Sequence, residues 1–351
     1  MKRKKTVCFV AGKSGGHIIP ALTLAQKLVE KDKNTHILFF STDSPIDKKI
    51  LQNNKIVHRH VALVLQNVPY KKLLRFPIFL AHMLYATIKS FFIFLKNRPE
   101  KVISMGGYVS FPICISAFLL RIPIELFELN AVPGKAVTYL APIAIKIHTC
   151  FEAATAQLPT KKCQIAEYPI RYPKDKAIID KQSAYKTHGL LPNKYTILVL
   201  GGSQGSVSIN NIIKSLITTS RYIAEQIQMI HQTGTNDTTD WNTFYKENNI
   251  HALSFTFKND IQHYYHLADL VICRSGAGTL FETMFFNKTC ITIPLETATT
   301  SHQTDNARAL AKTHSQLVTM IQEKDLKINP SLLKNKIYQQ IELLSKHYNA
   351  Q

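Results

Sequence analysis

The amino-acid sequence predicts an α/β protein built from two doubly wound domains that face a cleft. Its 351 residues are more than one compact domain usually needs. Apolar, β-branched runs alternate with helix-like stretches along the chain, which is typical of βαβ units around a parallel sheet. The alternation begins at residues 5–11 and again at residues 195–200, and a glycine-rich loop follows each of these runs. We therefore expect two Rossmann-like domains of similar construction.

The predicted elements follow one another in the same way in both halves. Helices are expected at residues 18–31 and 208–218. The expected strands lie at residues 5–11, 36–41, 101–105, 122–128, 145–151, 195–200, 228–232, 254–257, 270–273, 289–294 and 316–321. Residues 159–173 are polar and contain prolines, which favours a linker. The expected divisions are an N-terminal domain, a C-terminal domain and a helical tail that packs back on the N-terminal domain, with boundaries 1–160, 161–330 and 331–351.

The composition limits the class of partner. Lys and Arg number 43 against 23 Asp and Glu, which gives a formal charge of +20. Such an excess favours an anionic partner: nucleic acid, an acidic membrane surface or a phosphorylated substrate. The six cysteines form no CxxC pair, so they indicate reduced thiols in a cytosolic protein and no zinc site. The first apolar run is too short for a secretory signal.

Residues 73–95 form a long apolar segment. Charged residues and a proline interrupt it, whereas a transmembrane helix needs about 20 apolar residues in a row. Lys71, Lys72 and Arg75 lie at its start, and an apolar helix bounded by cations suits the surface of an anionic bilayer. We therefore expect these three cations and residues 76–95 to contact an anionic membrane. The alternative is an ordinary helix packed on the sheet.

Three glycine loops join a strand to a helix, at residues 12–17, 106–110 and 201–205. Glycine lets the backbone approach a ligand closely, and the first N–H groups of the following helix can bind an anion. Three such loops divided between two domains indicate a cleft that binds phosphates from both sides. His17 lies at the mouth of the first loop, where it can act as a base near neutral pH. A structural or helix-capping role is the alternative for His17.

A fourth block, residues 273–282, places small residues between a buried strand and a helix. Glu282 lies about one turn into that helix, where its carboxylate can accept hydrogen bonds from both hydroxyls of a ribose. An acid that only complements the helix dipole is the alternative interpretation.

The motifs occur in a fixed order between residues 6 and 312. They read G-x-x-G-G-H, G-G-Y-V-S, E-x-N-x-x-P-G, P-I-R, G-G-S-Q-G, H-Q-T-G, C-R-S-G-A-x-T-x-x-E and H-Q-x-x-N-A. This series resembles that of the MurG family, in glycosyltransferase family 28, from end to end. The resemblance implies the GT-B fold and an inverting, UDP-GlcNAc-dependent hexosyltransferase without metal or cofactor. It implies that GlcNAc is moved to the C4 hydroxyl of the undecaprenyl-diphosphate-linked muramyl pentapeptide, from lipid I to lipid II of peptidoglycan biosynthesis, at the cytoplasmic face of the bacterial inner membrane.

The resemblance assigns the donor diphosphate to the C-terminal domain. Gly202, Ser203 and Gln204 would hold it, and Arg171 would reach it across the linker. The start of the helix in the fourth block would add five further donor contacts: Ala277, Gly278, Thr279, Leu280 and Phe281.

The resemblance also assigns the rest of the donor. Phe257 would cover the face of the uracil, and the backbone of Lys258 would read its edge. Glu282 would bind the ribose hydroxyls. Gln303 and Asn306 would bind the sugar that is transferred.

The acceptor would approach the N-terminal domain. The amides of Gly15 and Gly16 would grip its diphosphate, with His17 as the base and Glu128 as the second candidate. The other residues expected to line the acceptor pocket are Ser14, Tyr108, Ser110 and Asn130. An inverting transfer needs one base on the acceptor hydroxyl and electrostatic stabilisation of the departing UDP, and helix N-termini can supply the second.

The chain departs from the family pattern mainly on the acceptor side. Phe111 replaces the glycine after the G-G-Y-V-S serine, Phe127 and Leu129 flank the motif glutamate, and Glu167 and Tyr168 replace Gly-Asn before P-I-R. A GT-B transferase with another lipid or polyprenyl acceptor is therefore the alternative function. A nucleic-acid-binding α/β protein is a distant alternative, because no nucleic-acid-binding motif accompanies the charge, and we expect no nucleic-acid partner.

Overall fold

The computed structural model describes residues 5–52, 54–65, 74, 76–173, 180–202, 204–296 and 302–348. The chain divides into two compact units, Met1–Arg171 and Tyr172–Gln351. Each unit contains one parallel sheet connected through helices, so the predicted class of two doubly wound α/β domains is confirmed. The division falls after Arg171, later than the boundary expected at residue 160.

The N-terminal sheet has the strand order β3-β2-β1-β4-β5-β6-β7. Its strands are β1 Lys5–Val10, β2 Thr35–Thr42, β3 Arg59–Leu63, β4 Lys101–Ser104, β5 Ile124–Glu128, β6 Lys146–Thr149 and β7 Cys163–Ile165. The helices of this unit are α1 Gly15–Lys31, α2 Pro45–Leu51, α3 Phe76–Asn97, α4 Ser110–Leu119, α5 Lys135–Leu140 and α6 Glu152–Thr155, with short 3-10 helices at Ala141–Ile143 and Thr160–Lys162. The strand order reverses between β1 and β4, so this is the switch point of the sheet.

The C-terminal sheet has the strand order β10-β9-β8-β11-β12-β13, which reverses between β8 and β11. Its strands are β8 Tyr195–Leu200, β9 Ile227–Gln232, β10 Ala252–Phe255, β11 Leu270–Cys273, β12 Thr289–Thr292 and β13 Val318–Met320. The helices are α7 Lys181–Thr187, α8 Val207–Thr219, α9 Arg221–Gln226, α10 Trp241–Glu247, α11 Gln262–Leu267, α12 Ala277–Phe285, α13 His302–Thr313, α14 Glu323–Ile328 and α15 Ser331–Tyr348.

Burial explains which strands the sequence predicts well. Every residue of β8 is buried, and so is every residue of β1 after Lys5, because central parallel strands are covered on both faces. Such strands read as continuous apolar runs. The edge strands β3 and β7 mix polar with apolar residues and were not predicted.

The tail helix α15 begins at Ser331. Its Leu333 and Ile337 are buried in the apolar core of the C-terminal unit, beside residues of β8 and α8. The expected packing of the tail on the N-terminal domain remains a prediction.

Helix α3 carries the long apolar segment. Among the described residues it is the one helix long and apolar enough to cross a membrane, by length and composition alone. Only 17% of its most apolar window is buried, which is not the pattern of a core helix. Ala86, Ser90 and Phe94 form its buried stripe, and the rest of its surface is largely exposed.

Candidate active site

Both sheets end in glycine-rich loops at their switch points. In the N-terminal unit, residues 11–14 follow β1 and residues 105–109 follow β4. In the C-terminal unit, residues 201–206 follow β8 and residues 274–276 follow β11. Ligands of open α/β sheets bind outside the carboxyl ends of the strands where the order reverses. Four of the predicted motif blocks therefore lie at two such places, one in each unit.

A pocket of about 210 Å³ is lined by both N-terminal loops. Its described lining residues are Gly12, Lys13, Ser14, His17, Gly107, Tyr108 and Val109. The structure thus brings together three of the predicted acceptor residues, Ser14, His17 and Tyr108. Gly15 and Gly16 follow directly, as the first residues of α1.

His17 lies in the first turn of α1, and its side chain is half-buried. Its backbone N–H donates to the carbonyl of Ser14 at 3.2 Å. A Cβ at Gly107 would lie 3.8 Å from Nδ1 of His17, so the loop after β4 passes close to the imidazole. Gly106 and Gly107 both have φ of +77°, which other residues rarely adopt. The imidazole therefore lines the pocket beside this loop.

The loop after β4 is closed by a ring of hydrogen bonds. The hydroxyl of Ser104 donates to that of Ser110 at 2.6 Å, and Ser110 donates to the Gly106 carbonyl at 2.6 Å. The N–H of Gly106 donates back to Ser104 at 3.2 Å. Ser110 was expected to line the acceptor pocket, but its side chain is fully buried behind the loop. In this arrangement it shapes the loop and presents no surface to a ligand.

Glu128 ends β5 and is 3% exposed. One carboxylate oxygen accepts from the N–H of Asn130 at 2.9 Å, and the other accepts from the N–H of Gly134 at 2.8 Å. Burial raises the pKa of Glu128, and these hydrogen bonds oppose that rise. The structure places the second base candidate under the loop of residues 129–134, as a holder of that backbone. Asn130, also expected in the acceptor pocket, is half-buried and donates its side-chain amide to Glu128 at 3.3 Å.

The departures from the family pattern do not line the described pocket. The ring of Phe111 packs toward Tyr139, with centroids 6.4 Å apart. Phe127 stacks on His148 at 4.3 Å, and Leu129 and Tyr168 are buried. Phe111, Phe127, Leu129 and Tyr168 therefore contribute to the packing of the N-terminal unit.

Asp47, in α2, is a residue of this site that the motifs did not reveal. It is fully buried, and the backbone N–H of Lys13 donates to both of its carboxylate oxygens at 2.9 Å. The N–H of Thr42, at the end of β2, donates to the same carboxylate at 3.1 Å. In the sequence Asp47 is an acid in the first turn of a helix that Ser44 caps, which is an ordinary helix start. No local signal marks its carboxylate as the partner of a distant loop.

The C-terminal glycine loop packs backbone against backbone. A Cβ on Gly205 would lie 2.4 Å from Cα of Gly234 and 2.5 Å from the carbonyl oxygen of Thr233. A Cβ on Gly234 would meet the carbonyl oxygen of Gln204 at 2.4 Å. The H-Q-T-G motif therefore supports the G-G-S-Q-G loop, because only glycine fits at either side of this contact.

The predicted diphosphate contacts lie on or near this loop. Gly202 is half-buried with φ of +90°, and its carbonyl accepts from the side chain of Gln232 at 2.5 Å. Gln204 is exposed. Ser203 lies outside the described residues. Arg171 is half-buried at the end of the N-terminal unit.

Arg274 links the end of the same loop to α14 of the C-terminal unit. Its guanidinium donates to the hydroxyl of Ser206 at 2.8 and 3.1 Å and to Glu323 at 2.8 Å. Ser206 in turn caps α8 by accepting from the N–H of Ile209 at 3.3 Å. Arg274 is 5% exposed, so this cation fixes the helix start that follows the loop. The C-R-S-G-A motif contains Arg274, but nothing in the sequence separates this arginine from ligand-binding residues.

His231 of the H-Q-T-G motif is structural. It is fully buried, with Nδ1 2.8 Å from the hydroxyl of Tyr245 and Nε2 3.0 Å from the side-chain oxygen of Asn210. Asn210 donates to the carbonyl of Thr233 at 2.8 Å. Burial lowers the pKa of His231 to about 3, so the ring is neutral at physiological pH.

Glu282 lies in α12 with a half-buried side chain. The hydroxyl of Tyr265 donates to Glu282 Oε2 at 3.3 Å. Tyr265 is fully buried and stacks on Phe286 with centroids 4.8 Å apart. The hydroxyl of a buried tyrosine thus contacts the carboxylate that the sequence predicts as the ribose contact.

The predicted uracil contacts lie after β10. Phe257 is 43% exposed, so its ring is available to stack on a base. The ammonium of Lys258 donates to the hydroxyl of Tyr264 at 2.5 Å and lies 5.2 Å from the centroid of Phe255. The side chain of Lys258 is thereby held on these rings, and its backbone is the part left for recognition.

The structure divides the remaining donor residues. Gly278, Thr279 and Phe281 are half-buried, whereas Ala277 and Leu280 belong to the buried core, and Leu280 has no exposed surface. The side-chain oxygen of Gln303 accepts from the N–H of Leu295 at 3.0 Å. Asn306 is 1% exposed and donates to the carbonyl of Ser275 at 3.3 Å, so it braces the turn after β11.

We also searched the site for side chains that could bind a metal ion. In the described ranges, no group of three or more His, Cys, Asp and Glu side chains could hold a metal ion.

Comparison with known proteins places the whole chain. Residues 7–149 match the glycosyltransferase family 28 N-terminal domain, and residues 196–350 match the glycosyltransferase family 28 C-terminal domain. A protein of Myxococcus xanthus is 31% identical over 91% of this chain and 81% of its own length. A protein of Francisella tularensis is 34% identical over 89% of this chain and 83% of its own length. Both are named UDP-N-acetylglucosamine--N-acetylmuramyl-(pentapeptide) pyrophosphoryl-undecaprenol N-acetylglucosamine transferase.

Solved structures agree on the fold. The crystal structure of Acinetobacter baumannii MurG superposes with a TM-score of 0.72 at 24% identity, covering 96% of this chain and 90% of that one. A kitacinnamycin glycosyltransferase superposes with a TM-score of 0.68 at 11% identity, covering 96% of this chain and 91% of that one. From the family domains and the relatives together, the chain belongs to glycosyltransferase family 28, in its MurG group of N-acetylglucosamine transferases.

Proposed function

We propose that this protein transfers GlcNAc from UDP-GlcNAc to the C4 hydroxyl of an undecaprenyl-diphosphate-linked MurNAc-pentapeptide, converting lipid I to lipid II. The observation that carries the proposal is the N-terminal pocket, in which His17 lies between two glycine loops at the switch point. The names of the relatives support the choice of donor and acceptor.

The donor would be bound by the C-terminal unit. The backbone of the loop after β8 and the N-terminus of α12 offer N–H groups to a diphosphate. Glu282, oriented by Tyr265, would accept from the ribose hydroxyls, and Phe257 would stack on the uracil. This arrangement stabilises the negative charge that grows on UDP as it departs.

The acceptor would be bound by the N-terminal unit. His17 would take the proton from the C4 hydroxyl as that oxygen attacks C1 of GlcNAc. The bond from C1 to UDP breaks on the opposite face, so the anomeric configuration inverts. We propose that neither a metal ion nor a cofactor takes part, because helix N-termini can stabilise the leaving diphosphate.

Sugar transfer in EDTA tests the proposal directly. Purified protein is mixed with radiolabelled UDP-GlcNAc and the muramyl-pentapeptide lipid, and labelled lipid is measured. We expect transfer at an unchanged rate in EDTA. Binding of UDP-GlcNAc without transfer would point to the alternative, another lipid or polyprenyl acceptor, and absence of donor binding would overturn the reading.

We further propose that the protein works as a peripheral protein at the cytoplasmic face of the inner membrane. Large apolar side chains are exposed along α3 and α4: Ile78, Leu80, Leu84, Tyr85, Ile88, Phe92, Leu95, Ile115, Phe118 and Leu119. Lys96, Arg98 and Arg121 are exposed at the ends of these helices. Apolar surface bordered by cations suits an anionic bilayer. The predicted cations Lys71, Lys72 and Arg75 lie outside the described residues.

Vesicle sedimentation tests this contact. Leu84→Asp and Phe92→Asp place charge on residues that are 62% and 64% exposed, so the fold should tolerate them. We expect each to reduce sedimentation with phosphatidylglycerol vesicles several-fold. Ile328→Asp, at an 84% exposed residue of the C-terminal unit, is the matched control. Equal sedimentation of all three variants would show that the exposed face of α3 is not the membrane contact.

A further inference from the structure

Lys13 has an unusual backbone conformation for its place in the chain. Its φ is +72°, in the left-handed region that residues other than glycine rarely adopt. The other such residues in the described ranges are Arg98, Arg121, Asn249 and Asn287, and each lies within two residues of the end of a helix. Lys13 precedes a helix instead, so the usual helix-end explanation does not apply to it.

Asp47 holds Lys13 in this conformation. The N–H of Lys13 donates to both oxygens of the fully buried carboxylate at 2.9 Å. Thr42 satisfies the same carboxylate through its N–H at 3.1 Å and through its hydroxyl. Gly12 lies close to the same carboxylate, because a Cβ on Gly12 would lie 2.9 Å from Asp47 Oδ2. A buried carboxylate with this donor set fixes the loop at residues 12 and 13.

The side chain of Lys13 extends from this backbone toward Tyr108. Its Nζ is 5.6 Å from the centroid of the Tyr108 ring, within the range of a cation–π contact. Burial raises the pKa of Tyr108, and the charge of Asp47 adds to this, so the phenol stays neutral. Lys13, Tyr108 and His17 all line the same pocket, and none of its described lining residues is acidic.

We propose that Lys13 binds a phosphate of the acceptor diphosphate and that Asp47 is the positioning residue that sets Lys13 in place. The inference rests on the proposed function and names a further contact in the same site. A lysine ammonium is a compact charge that pairs with phosphate oxygens. The diphosphate of the acceptor adjoins the sugar whose hydroxyl reacts. A contact at Lys13 therefore fixes the acceptor beside His17.

Lys13→Gly tests the binding role. Glycine removes the ammonium but accepts positive φ more readily than lysine, so the melting temperature should not fall. We expect the acceptor KM to rise about tenfold, as for the loss of one charge-assisted hydrogen bond, with the donor KM unchanged. Lys33→Ala is the matched control, since it removes an exposed lysine beyond the far end of α1.

The outcomes separate this inference from the proposed function. Transfer by the wild type with an acceptor KM for Lys13→Gly within twofold of wild type would overturn the role of Lys13 and leave the function standing. If the wild type transfers no sugar, the function fails. The role of Lys13 is then decided by binding to phosphatidylcholine vesicles that carry undecaprenyl diphosphate. If Lys13→Gly binds these vesicles more weakly than the wild type and Lys33→Ala does not, the phosphate contact is supported. If Lys13→Gly and the wild type bind equally, the contact is overturned.

A double-mutant cycle tests the positioning role of Asp47. Asp47→Asn should raise the acceptor KM in the Lys13 background and add nothing in the Lys13→Gly background, because its effect passes through Lys13. Equal increments in both backgrounds would mean that Asp47 supports the fold in general, and would overturn the positioning role. Thermal unfolding is measured first, and Asp47→Ser replaces Asp47→Asn if the latter does not fold.

Discussion

The glycine loops that follow β1 and β8 occupy the same place in their sheets but are held by different means. In the C-terminal unit Gly205 packs on the backbone of Gly234, so close contact between main chains shapes the loop. The side chains of Gln232 and Arg274 add hydrogen bonds to the same loop. In the N-terminal unit the loop is held by side chains, with Asp47 on Lys13. The N-terminal loops line a pocket of about 210 Å³. Two sheets with the same kind of switch point thus hold their glycine loops in different ways, one mainly by contact between main chains and the other by a buried carboxylate.

Substitution of the glycine contact should have the largest effect. In Gly205→Ala the new Cβ would lie 2.4 Å from Cα of Gly234, so two backbones must separate. We expect a loss of roughly 4 kcal/mol of stability, or failure to fold, together with loss of UDP-GlcNAc binding. Chemical denaturation and calorimetry measure both.

Gly189→Ala is the matched control for this prediction. Its φ is +66°, but nothing lies within 4 Å of the new Cβ, so it reports the left-handed conformation alone. We expect a cost of about 1 kcal/mol. Equal costs at Gly205 and Gly189 would show that the contact with Gly234 does not hold the loop.

Removing the proposed base, His17, should have the next largest effect, and this effect should be on catalysis in the N-terminal unit. His17→Ala is expected to lower kcat by about 10²- to 10⁴-fold, the usual contribution of general-base catalysis. Donor affinity should stay within twofold, because His17 lies in the N-terminal pocket and the loops proposed to bind the donor belong to the other unit. Steady-state kinetics and titration of UDP-GlcNAc measure these quantities. A comparable loss of donor binding would refute the base role.

Glu128 provides the control for the base. Its carboxylate is occupied by the N–H groups of Asn130 and Gly134, so Glu128→Gln should act through the loop it holds. We expect a lower melting temperature and a smaller loss of kcat than in His17→Ala. A larger loss of kcat with unchanged stability would reverse the two assignments.

The sequence predicted what glycine and apolar runs can show. Central strands such as β1 and β8 are apolar throughout, and their following loops are rich in glycine, so the fold class and the site loops were predictable. The partners that hold those loops were not. Asp47 lies 34 residues from Lys13 in the chain, and Arg274 lies 68 residues from Ser206. A hydrogen bond over such a separation leaves no periodic pattern in one sequence.

Burial also limited how well ligand contacts could be predicted from the sequence. Ser110, Leu280 and Asn306 occupy motif positions, yet each is buried and packs or bonds within the protein. A motif shows that a residue type belongs at a position, and it does not show which way the side chain points. Ligand contacts and loop supports therefore look alike until the packing is known.

Acid should affect the two units at different pH. Burial lowers the pKa of His231 to about 3, against 6.5 in an unfolded chain. Its contribution is present above pH 6.5 and is lost as pH falls toward 3, at about 1.4 kcal/mol per pH unit. In the N-terminal unit, hydrogen bonds from His148 and Lys101 lower the pKa of Glu125 to about 2, so its contribution is lost only below about pH 4.5.

The single tryptophan makes this difference measurable. Trp241 lies in the C-terminal unit with its ring centroid 4.5 Å from that of His231. Denaturation followed by its fluorescence should show about 2 kcal/mol less stability at pH 5 than at pH 6.5 from this histidine. His231→Gln should be less stable than the wild type at neutral pH, but its stability should change less between pH 6.5 and pH 5. An identical pH slope in the variant would exclude His231 as the sensitive group.

The smallest expected effect sharpens the donor side. Glu282→Ala should weaken UDP-GlcNAc binding about tenfold, as for the loss of a charge-assisted hydrogen bond to the ribose. Tyr265→Phe removes the hydroxyl that donates a hydrogen bond to Glu282 Oε2 at 3.3 Å. It should weaken UDP-GlcNAc binding only about two- to threefold, because the carboxylate loses one hydrogen bond but stays in the site.

A deoxyribose analogue of the donor separates ribose recognition from helix stabilisation by Glu282. If Glu282 binds the hydroxyls, the wild type should lose affinity for 2′-deoxy-UDP-GlcNAc, and Glu282→Ala should bind both donors alike. If the variant discriminates between them as strongly as the wild type, the ribose is recognised elsewhere and Glu282 serves only the dipole of α12. Helix α12 follows a buried strand of the C-terminal unit, whereas Lys13 lies in the N-terminal loop after β1. Lys13→Gly should therefore discriminate between the two donors as strongly as the wild type does.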